Sequence, residues 1–323
     1  MNYKQRKDNQ YLFVLMLILI SAQGIRLYGQ QIPYYPVSLK IYDPFILNPA
    51  IAGSKDFFHL DLSAGKSAGI NSQFLAGSSR IMKRHREYRA FPELNNFTDF
   101  GTGGYVFREK YGLYSNAGFA GTFSYHIKIS EDALSFVSAG ITGKIIHTSY
   151  SGEPDLNIAA VKSTYPDADI GIYYYSPSFY AGVSALNLFS DISSIDSSSY
   201  KAAGLSRHLN AIIGYKQVIS RNFNIVIEPS LLISEKYSLS GDLKEMVGPM
   251  VSLYAGMFCA GAYFPGLNKS SLFFRFKYPK FNIGAYLELP GKTPLYKSPI
   301  LAELTIGLNI SAIKFGPAGY NHW

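Results

Sequence analysis

The stretch YSNAGFAGTFSYHIK, residues 114–128, alternates between two kinds of side chain with a period of two. One set contains the large apolar residues Phe119, Phe123 and Ile127, and the other contains Ser124 and His126. Successive side chains of a β-strand point to opposite faces of its sheet, whereas a helix repeats about every 3.6 residues. The stretch therefore predicts a strand with one apolar face and one polar face.

The same alternation recurs from residue 58 onward in about fourteen segments, most of them about ten residues long. Short turn-forming connections, such as SED at 130–132 and SP at 176–177, alternate with longer polar ones, such as 150–166 and 191–206. Short turns at one end and long loops at the other are typical of bacterial outer-membrane proteins. The pattern predicts an all-β fold, an antiparallel outer-membrane β-barrel of about 14 strands.

A soluble β-sandwich is the alternative, because its strands also alternate. The predicted strands are long for a sandwich. Aromatic residues make up 15% of the chain, with 26 Tyr and 22 Phe against one Trp. Many of them lie near predicted strand ends, as in the aromatic belts of membrane barrels. The apolar run 247–267 is long enough for a membrane helix, but its glycines predict a hairpin that turns near Gly256.

The N-terminus has the pattern of a secretory signal peptide. Basic residues precede the apolar run 11–22, which is too short to span a bilayer and is followed by small residues. We expect a cleaved signal at 1–30, a lead or plug at 31–56 and the barrel at 57–323. Removing residues 1–30 removes four of the 30 basic residues and one of the 22 acidic residues, which leaves a net charge of +5. A single cysteine, Cys259, excludes an intramolecular disulfide.

Motifs for catalysis and cofactor binding are missing from the sequence. The six histidines lack metal-binding spacing, and neither a phosphate-binding loop nor a nucleophile elbow occurs. The run Gly101–Gly104 is expected to let a strand bend. A lipid hydrolase built from His126 and His147 on adjacent strands is the remaining enzymatic hypothesis. We therefore expect no enzyme, no cofactor, no metal and no nucleic-acid partner.

Two segments are candidate interaction sites. The first is the NPA turn, Asn48, Pro49 and Ala50, followed by Gly53, which is interpreted either as a turn into the first strand or as a docking element. The second is RIMKRHREYR at 80–89, interpreted either as a solvated hairpin loop or as a site for lipid phosphate groups or an acidic partner. Its basic residues are Arg80, Lys83, Arg84, Arg86 and Arg89.

The order of several stretches resembles the PorP/SprF family of type IX secretion system outer-membrane proteins. A signal peptide and a short polar lead precede NPAIAGS at 48–54, and the similarity continues through FGTGGYVF at 100–107 to about residue 310. The resemblance implies a role in exporting or anchoring a surface protein, such as an adhesin used in gliding motility. It also implies contacts with periplasmic and lipoprotein components of that system and with outer-membrane lipid. A passive porin is the alternative function.

Overall fold

The computed structural model describes residues 41–55, 58–67, 70–82, 97–130, 134–151, 160–189, 207–236, 246–265, 270–278, 280–289 and 301–310. Fifteen strands follow two short 3-10 turns, Pro44–Ile46 and Pro49–Ile51. No helix in these ranges has the length and apolar character needed to cross a membrane. The strands are β1 Phe58–Ser67, β2 Ile70–Met82, β3 Phe97–Tyr111, β4 Tyr114–Ser130, β5 Ser135–Tyr150, β6 Val161–Tyr175, β7 Phe179–Leu186, β8 His208–Tyr215, β9 Gln217–Ser220, β10 Ile225–Lys236, β11 Val247–Ala255, β12 Phe258–Tyr263, β13 Ser270–Lys277, β14 Phe281–Leu289 and β15 Leu301–Ile310.

The strands form one closed antiparallel barrel. Neighbours along the chain pair with one another except β8 and β9, and the pairing of β1 with β15 closes the circle. Strands β8 and β9 both pair with β10 and are separated only by Lys216, so they occupy one position in the wall. The barrel therefore has fourteen strands, which confirms the predicted number.

The two faces of the wall have opposite character. Along β1 and β15, outward-facing Leu62 and Ile306 are 55% and 50% exposed, whereas lumen-facing Asp61 and Thr305 are 0% and 1% exposed. Apolar side chains thus cover the outside, and polar side chains are buried in the lumen. This arrangement suits a wall that faces lipid on its outer side. It confirms that the period of two marks barrel strands.

The two ends of the barrel differ in their connections. Strands β4 and β5, β6 and β7, β9 and β10, β11 and β12, and β13 and β14 are joined by short turns at one end, which we call the short-turn end. Gly256, in the left-handed region at φ 59°, forms one of them with Met257 and confirms the predicted hairpin. The opposite, long-loop end carries the connections after β7, β10 and β14. Short turns face the periplasm in outer-membrane barrels, and an even strand number puts both ends of the barrel chain on that side.

One predicted connection is shorter than expected. The polar stretch 150–166 was predicted to be a loop, but β6 begins at Val161, so part of it belongs to the wall. Pro166 lies within the strand opposite Ile145. Proline lacks one backbone donor but can still occupy an extended strand, so it did not mark the strand boundary.

Candidate functional site

The residues before β1 form a compact inner segment, Ile41–Lys55. Its two 3-10 turns each begin with a proline, Pro44 and Pro49, whose fixed φ suits the first position of a helical turn. Asn48 caps the second turn, because its side-chain oxygen accepts a hydrogen bond from the amide of Ala50 at 3.0 Å. The NPA sequence therefore produces a capped turn.

The inner segment crosses the lumen. At one side, the hydroxyl of Tyr42 donates to the carbonyl of Phe274 on β13 at 2.8 Å. At the other, the Asn48 amide nitrogen donates to the carbonyls of Ile172 on β6 at 3.0 Å and Val183 on β7 at 3.3 Å. Strand β13 lies about half the circumference away from β6 and β7. The segment is thus anchored to opposite sides of the barrel.

Polar side chains of the wall bind the carbonyl groups of the inner segment. Ser138 donates to the carbonyl of Ala50 at 2.7 Å, and Ser124 donates to that of Ala52 at 2.6 Å. Ser184 donates to the carbonyl of Leu47. A buried carbonyl without a partner is costly, so lumen-facing serines stabilise an irregular backbone inside the barrel.

His126 extends this network to β2. Its Nε2 lies 2.9 Å from the carbonyl oxygen of Ala52, and its Nδ1 lies 3.0 Å from the hydroxyl of Tyr175. The Tyr175 hydroxyl also accepts a hydrogen bond from the Arg80 guanidinium at 2.8 Å. A neutral imidazole with its proton on Nε2 donates to the Ala52 carbonyl and accepts from the Tyr175 hydroxyl. The oxygen of that hydroxyl can then still accept from Arg80, so all three contacts are satisfied.

Wall glycines allow the inner segment to approach the backbone closely. A Cβ at Gly140 would lie 2.6 Å from the carbonyl oxygen of Pro49. One at Gly182 would lie 2.8 Å from the Asn48 amide nitrogen, and one at Gly284 would lie 2.7 Å from the Tyr42 ring. All three distances are shorter than real Cβ contacts. The wall is therefore shaped to receive this segment.

Charged groups meet where the inner segment approaches β1 and β13. His59 Nε2 lies 2.7 Å from an Asp43 carboxylate oxygen, and the Arg275 guanidinium lies 3.7 Å from Asp61. Burial raises the pKa of Asp43 and lowers the pKa of Lys55. Single ligand atoms of Asp43, His59 and Asp61 lie within 4.8 Å of one another, as in a metal site. The Arg275 guanidinium beside Asp61 and the His59 imidazole beside Asp43 instead make polar contacts that link the inner segment to the wall.

The predicted site residues have different positions. Asn48, Pro49 and Ala50 are buried in the lumen at the second 3-10 turn, and Gly53, at φ 72°, follows it. The basic residues Lys83, Arg84, Arg86 and Arg89 and the predicted signal peptide, 1–30, lie outside the described residues.

The expectation about Arg80 and the alternative hypothesis of a catalytic His126–His147 pair are corrected. Arg80 was assigned to the basic loop, but it lies on β2, is 7% exposed and places its guanidinium 5.2 Å from the Phe136 ring. Its side chain faces the lumen because it continues the alternation of β2. His126 and His147 do not form a catalytic pair, because His126 faces the lumen and His147 is exposed on the outside.

The sequence did not reveal the wall residues that hold the inner segment. Ser124, Ser138, Ser184, Gly140 and Gly182 are separated from Asn48 by long stretches of chain. Their only signal was the richness of the polar strand faces in serine and glycine. That signal fits a closely packed lumen and does not identify what is packed there.

Comparisons with solved structures found distant barrels. The toluene transporter TbuX of Ralstonia pickettii is 8% identical at a TM-score of 0.45, covering 88% of this chain and 95% of that chain. BamA of Haemophilus ducreyi is 8% identical at 0.37, covering 79% and 71%. The KdgM porin is 10% identical at 0.36, covering 79% and 99%. These scores are too low to support an argument about function.

Comparison with curated proteins found no match. The family described as "Type IX secretion system membrane protein PorP/SprF" matches residues 30–299. That range contains the inner segment and the strands from β1 to β14. The chain therefore belongs to the PorP/SprF family of type IX secretion system membrane proteins, and it is an outer-membrane β-barrel.

Proposed function

We propose that the protein is a non-enzymatic accessory of type IX secretion whose barrel is closed by its own inner segment. It assists the export or surface anchoring of a cargo protein, such as an adhesin that takes part in gliding motility. In this role the barrel anchors the protein in the outer membrane and does not conduct solutes. The contacts of the inner segment across the lumen are the observation that carries the proposal.

The depth of burial supports a closed lumen. Asp43, Ala50 and Ala52 are 0% exposed, and Asn48 is 2% exposed. Asn48, Ala50 and Ala52 are held by hydrogen bonds to β4, β5, β6 and β7. Each side chain that makes such a hydrogen bond loses conformational entropy when it is ordered. A segment that filled the lumen only transiently would not need this number of hydrogen bonds to the wall. Passive solute flow through the barrel is therefore disfavoured.

The polarity of the barrel supports partners on the periplasmic side. The inner segment enters β1 at the short-turn end, and β15 ends there. Strands β2 and β3, which flank residues 83–96 in sequence, also meet that end, and the sequence between them contains the basic residues Lys83, Arg84, Arg86 and Arg89. A cluster of positive charge can attract acidic partners or lipid phosphate groups. We assign contacts with periplasmic and lipoprotein components of the secretion system to this end.

The NPA turn contributes to this function indirectly. Asn48 and Ala50 contact the wall and are not exposed to a partner. We propose that they fix the position of residues 41–55, the part of the predicted lead, 31–56, that the structure describes. A docking surface on that lead would then depend on the buried turn.

Deleting the gene and comparing surface proteins tests the proposal. We expect one or a few secreted proteins to disappear from the cell surface and to return on complementation with the wild-type protein. Loss of solute uptake with an unchanged set of surface proteins would contradict the proposal and favour a porin. The control is complementation with an outward-face variant, Gly121→Ala, whose added Cβ meets nothing within 4 Å.

A further inference from the structure

The charges on the outside of the barrel are not evenly distributed. Of the outward-facing strand side chains that the structure describes, four are charged, and all four are exposed and basic: Lys66, Arg108, Lys110 and Lys162. Each lies near the long-loop end of its strand, at the end of β1, at the end of β3 or at the start of β6. The outward-facing side chains in the same set include no aspartate or glutamate.

Three of these residues form a patch on adjacent strands. Lys66 on β1 pairs with Asn71 on β2, which pairs with Lys110 on β3. One position nearer the middle of the wall, Gln73 pairs with Arg108. Adjacent strands are about 5 Å apart, so the patch is about 10 Å wide. We call these five residues the basic patch.

The basic patch lies at the edge of the lipid-facing surface. Toward the middle of the same strands, the outward-facing positions continue with Ala64 and then Leu62 on β1, Leu75 on β2 and Val106 on β3. Leu62, Leu75 and Val106 are 55%, 41% and 55% exposed. Basic residues on the lipid face of a barrel are strongly unfavourable at the bilayer midplane and nearly neutral at the interface. The change from apolar to basic side chains therefore places the patch at the level of the lipid headgroups.

We propose that the basic patch binds the phosphate group of an anionic lipid headgroup in the outer leaflet, which is the leaflet at the long-loop end. The three cations have no outward-facing carboxylate among the described side chains to neutralise them, and a phosphate would do so. Arg108 can donate two parallel hydrogen bonds to phosphate oxygens, and the amides of Asn71 and Gln73 supply further donors. The apolar residues below the patch would contact the acyl chains of the same lipid.

Native mass spectrometry of the detergent-solubilised full-length protein tests this site. The protein is titrated with dioleoyl phosphatidic acid, dioleoyl phosphatidylcholine or inorganic phosphate, and bound molecules are counted. The test variant is Arg108→Gln with Lys110→Gln. The control, Arg221→Gln with Lys280→Gln, removes the same charge from exposed residues at the short-turn end.

Each basic side chain near an anionic lipid contributes roughly a fivefold gain in binding. We expect the test variant to bind phosphatidic acid about 25-fold more weakly than the wild type, and the control variant to bind it as the wild type does. The charge-conserving variant Arg108→Lys with Lys110→Arg should recover most of the binding. Heat-dependent migration on gels verifies that each variant forms a barrel.

Three outcomes would overturn the proposal. The first is equal binding of phosphatidic acid by the test variant and the wild type. The second is binding of phosphatidylcholine as tight as that of phosphatidic acid. The third is displacement of phosphatidic acid by equimolar inorganic phosphate, which would show an anion site that does not recognise lipid.

Discussion

A single methyl group can test whether the inner segment is seated against the wall. Gly140 faces the lumen on β5, and a Cβ there would lie 2.6 Å from the Pro49 carbonyl oxygen and closer still to the amide nitrogen of Ala50. Gly143, three residues along the same strand, faces outward, and a Cβ there would meet nothing within 4 Å. Gly140→Ala and Gly143→Ala therefore form a matched pair that differs only in the face that receives the methyl group.

The expected difference follows from packing. Adding a methyl group to a filled site costs about 1–3 kcal/mol, and at Gly140 the atoms that must move are backbone atoms of a hydrogen-bonded turn. At Gly143 the added methyl group should be neutral or stabilise the strand by about 0.5 kcal/mol. A loss of 1–3 kcal/mol raises the population with a displaced segment about 5- to 160-fold.

Hydrogen–deuterium exchange of residues 41–55 measures this population, because the buried amides exchange when the segment opens. We expect the amides of this segment to exchange about 5- to 160-fold faster in Gly140→Ala than in the wild type. In Gly143→Ala they should exchange at the wild-type rate. The strand amides of β4 and β5 should remain protected in both variants. Wild-type exchange of the segment in Gly140→Ala would refute the reasoning, because the added methyl group would then not disturb the contact between the segment and the wall.

Three further variants are informative. Asn48→Asp removes both amide donors and places a carboxylate oxygen against two wall carbonyls, so exchange of the inner segment should rise by a factor equivalent to about 3 kcal/mol; an unchanged rate would contradict the observed contacts. Tyr175→Phe removes the hydroxyl between Arg80 and His126, and we expect a smaller increase, equivalent to about 1–2 kcal/mol, concentrated at the C-terminal part of the segment. Gly256→Val should lower the urea midpoint of barrel unfolding by the equivalent of about 1–2 kcal/mol, because φ is 59° at this position. Gly256→Asn should lower the midpoint less, since asparagine tolerates the left-handed region. Equal midpoints of the two variants would argue against the left-handed turn.

The strands could be predicted because their pattern is local. Each strand of the wall has one face toward lipid and one toward the lumen, so a period of two is visible in any ten residues. The break at Lys216 could not be predicted, because the alternation of 207–219 looks continuous in sequence. It becomes visible only when β8 and β9 are aligned with β10, against which both strands keep one register on either side of Lys216.

The contacts of the inner segment with the wall could not be predicted, because the wall residues that it contacts are distant in sequence. Asn48 was identified from turn chemistry, but its bonds to Ile172 and Val183 join residues 124 and 135 positions apart. From turn chemistry alone, replacing Asn48 and Pro49 with alanine should cost only about 0.4–1 kcal/mol through chain entropy. The wall contacts raise that expectation to about 2–4 kcal/mol, since a cap and two donors are lost. Gly101, expected to bend a strand, has a further reason to be glycine, because a Cβ there would meet the carbonyl of Ala52.

The central claim is that the inner segment closes the barrel, and single-channel recording in planar lipid bilayers tests it most directly. The purified full-length protein is compared with a variant lacking residues 41–55, after both are shown to be heat-modifiable barrels. We predict no steady conductance of solute size for the wild type and an open, steady pore for the deletion variant. A steady, solute-sized pore formed by the wild-type protein would contradict the account.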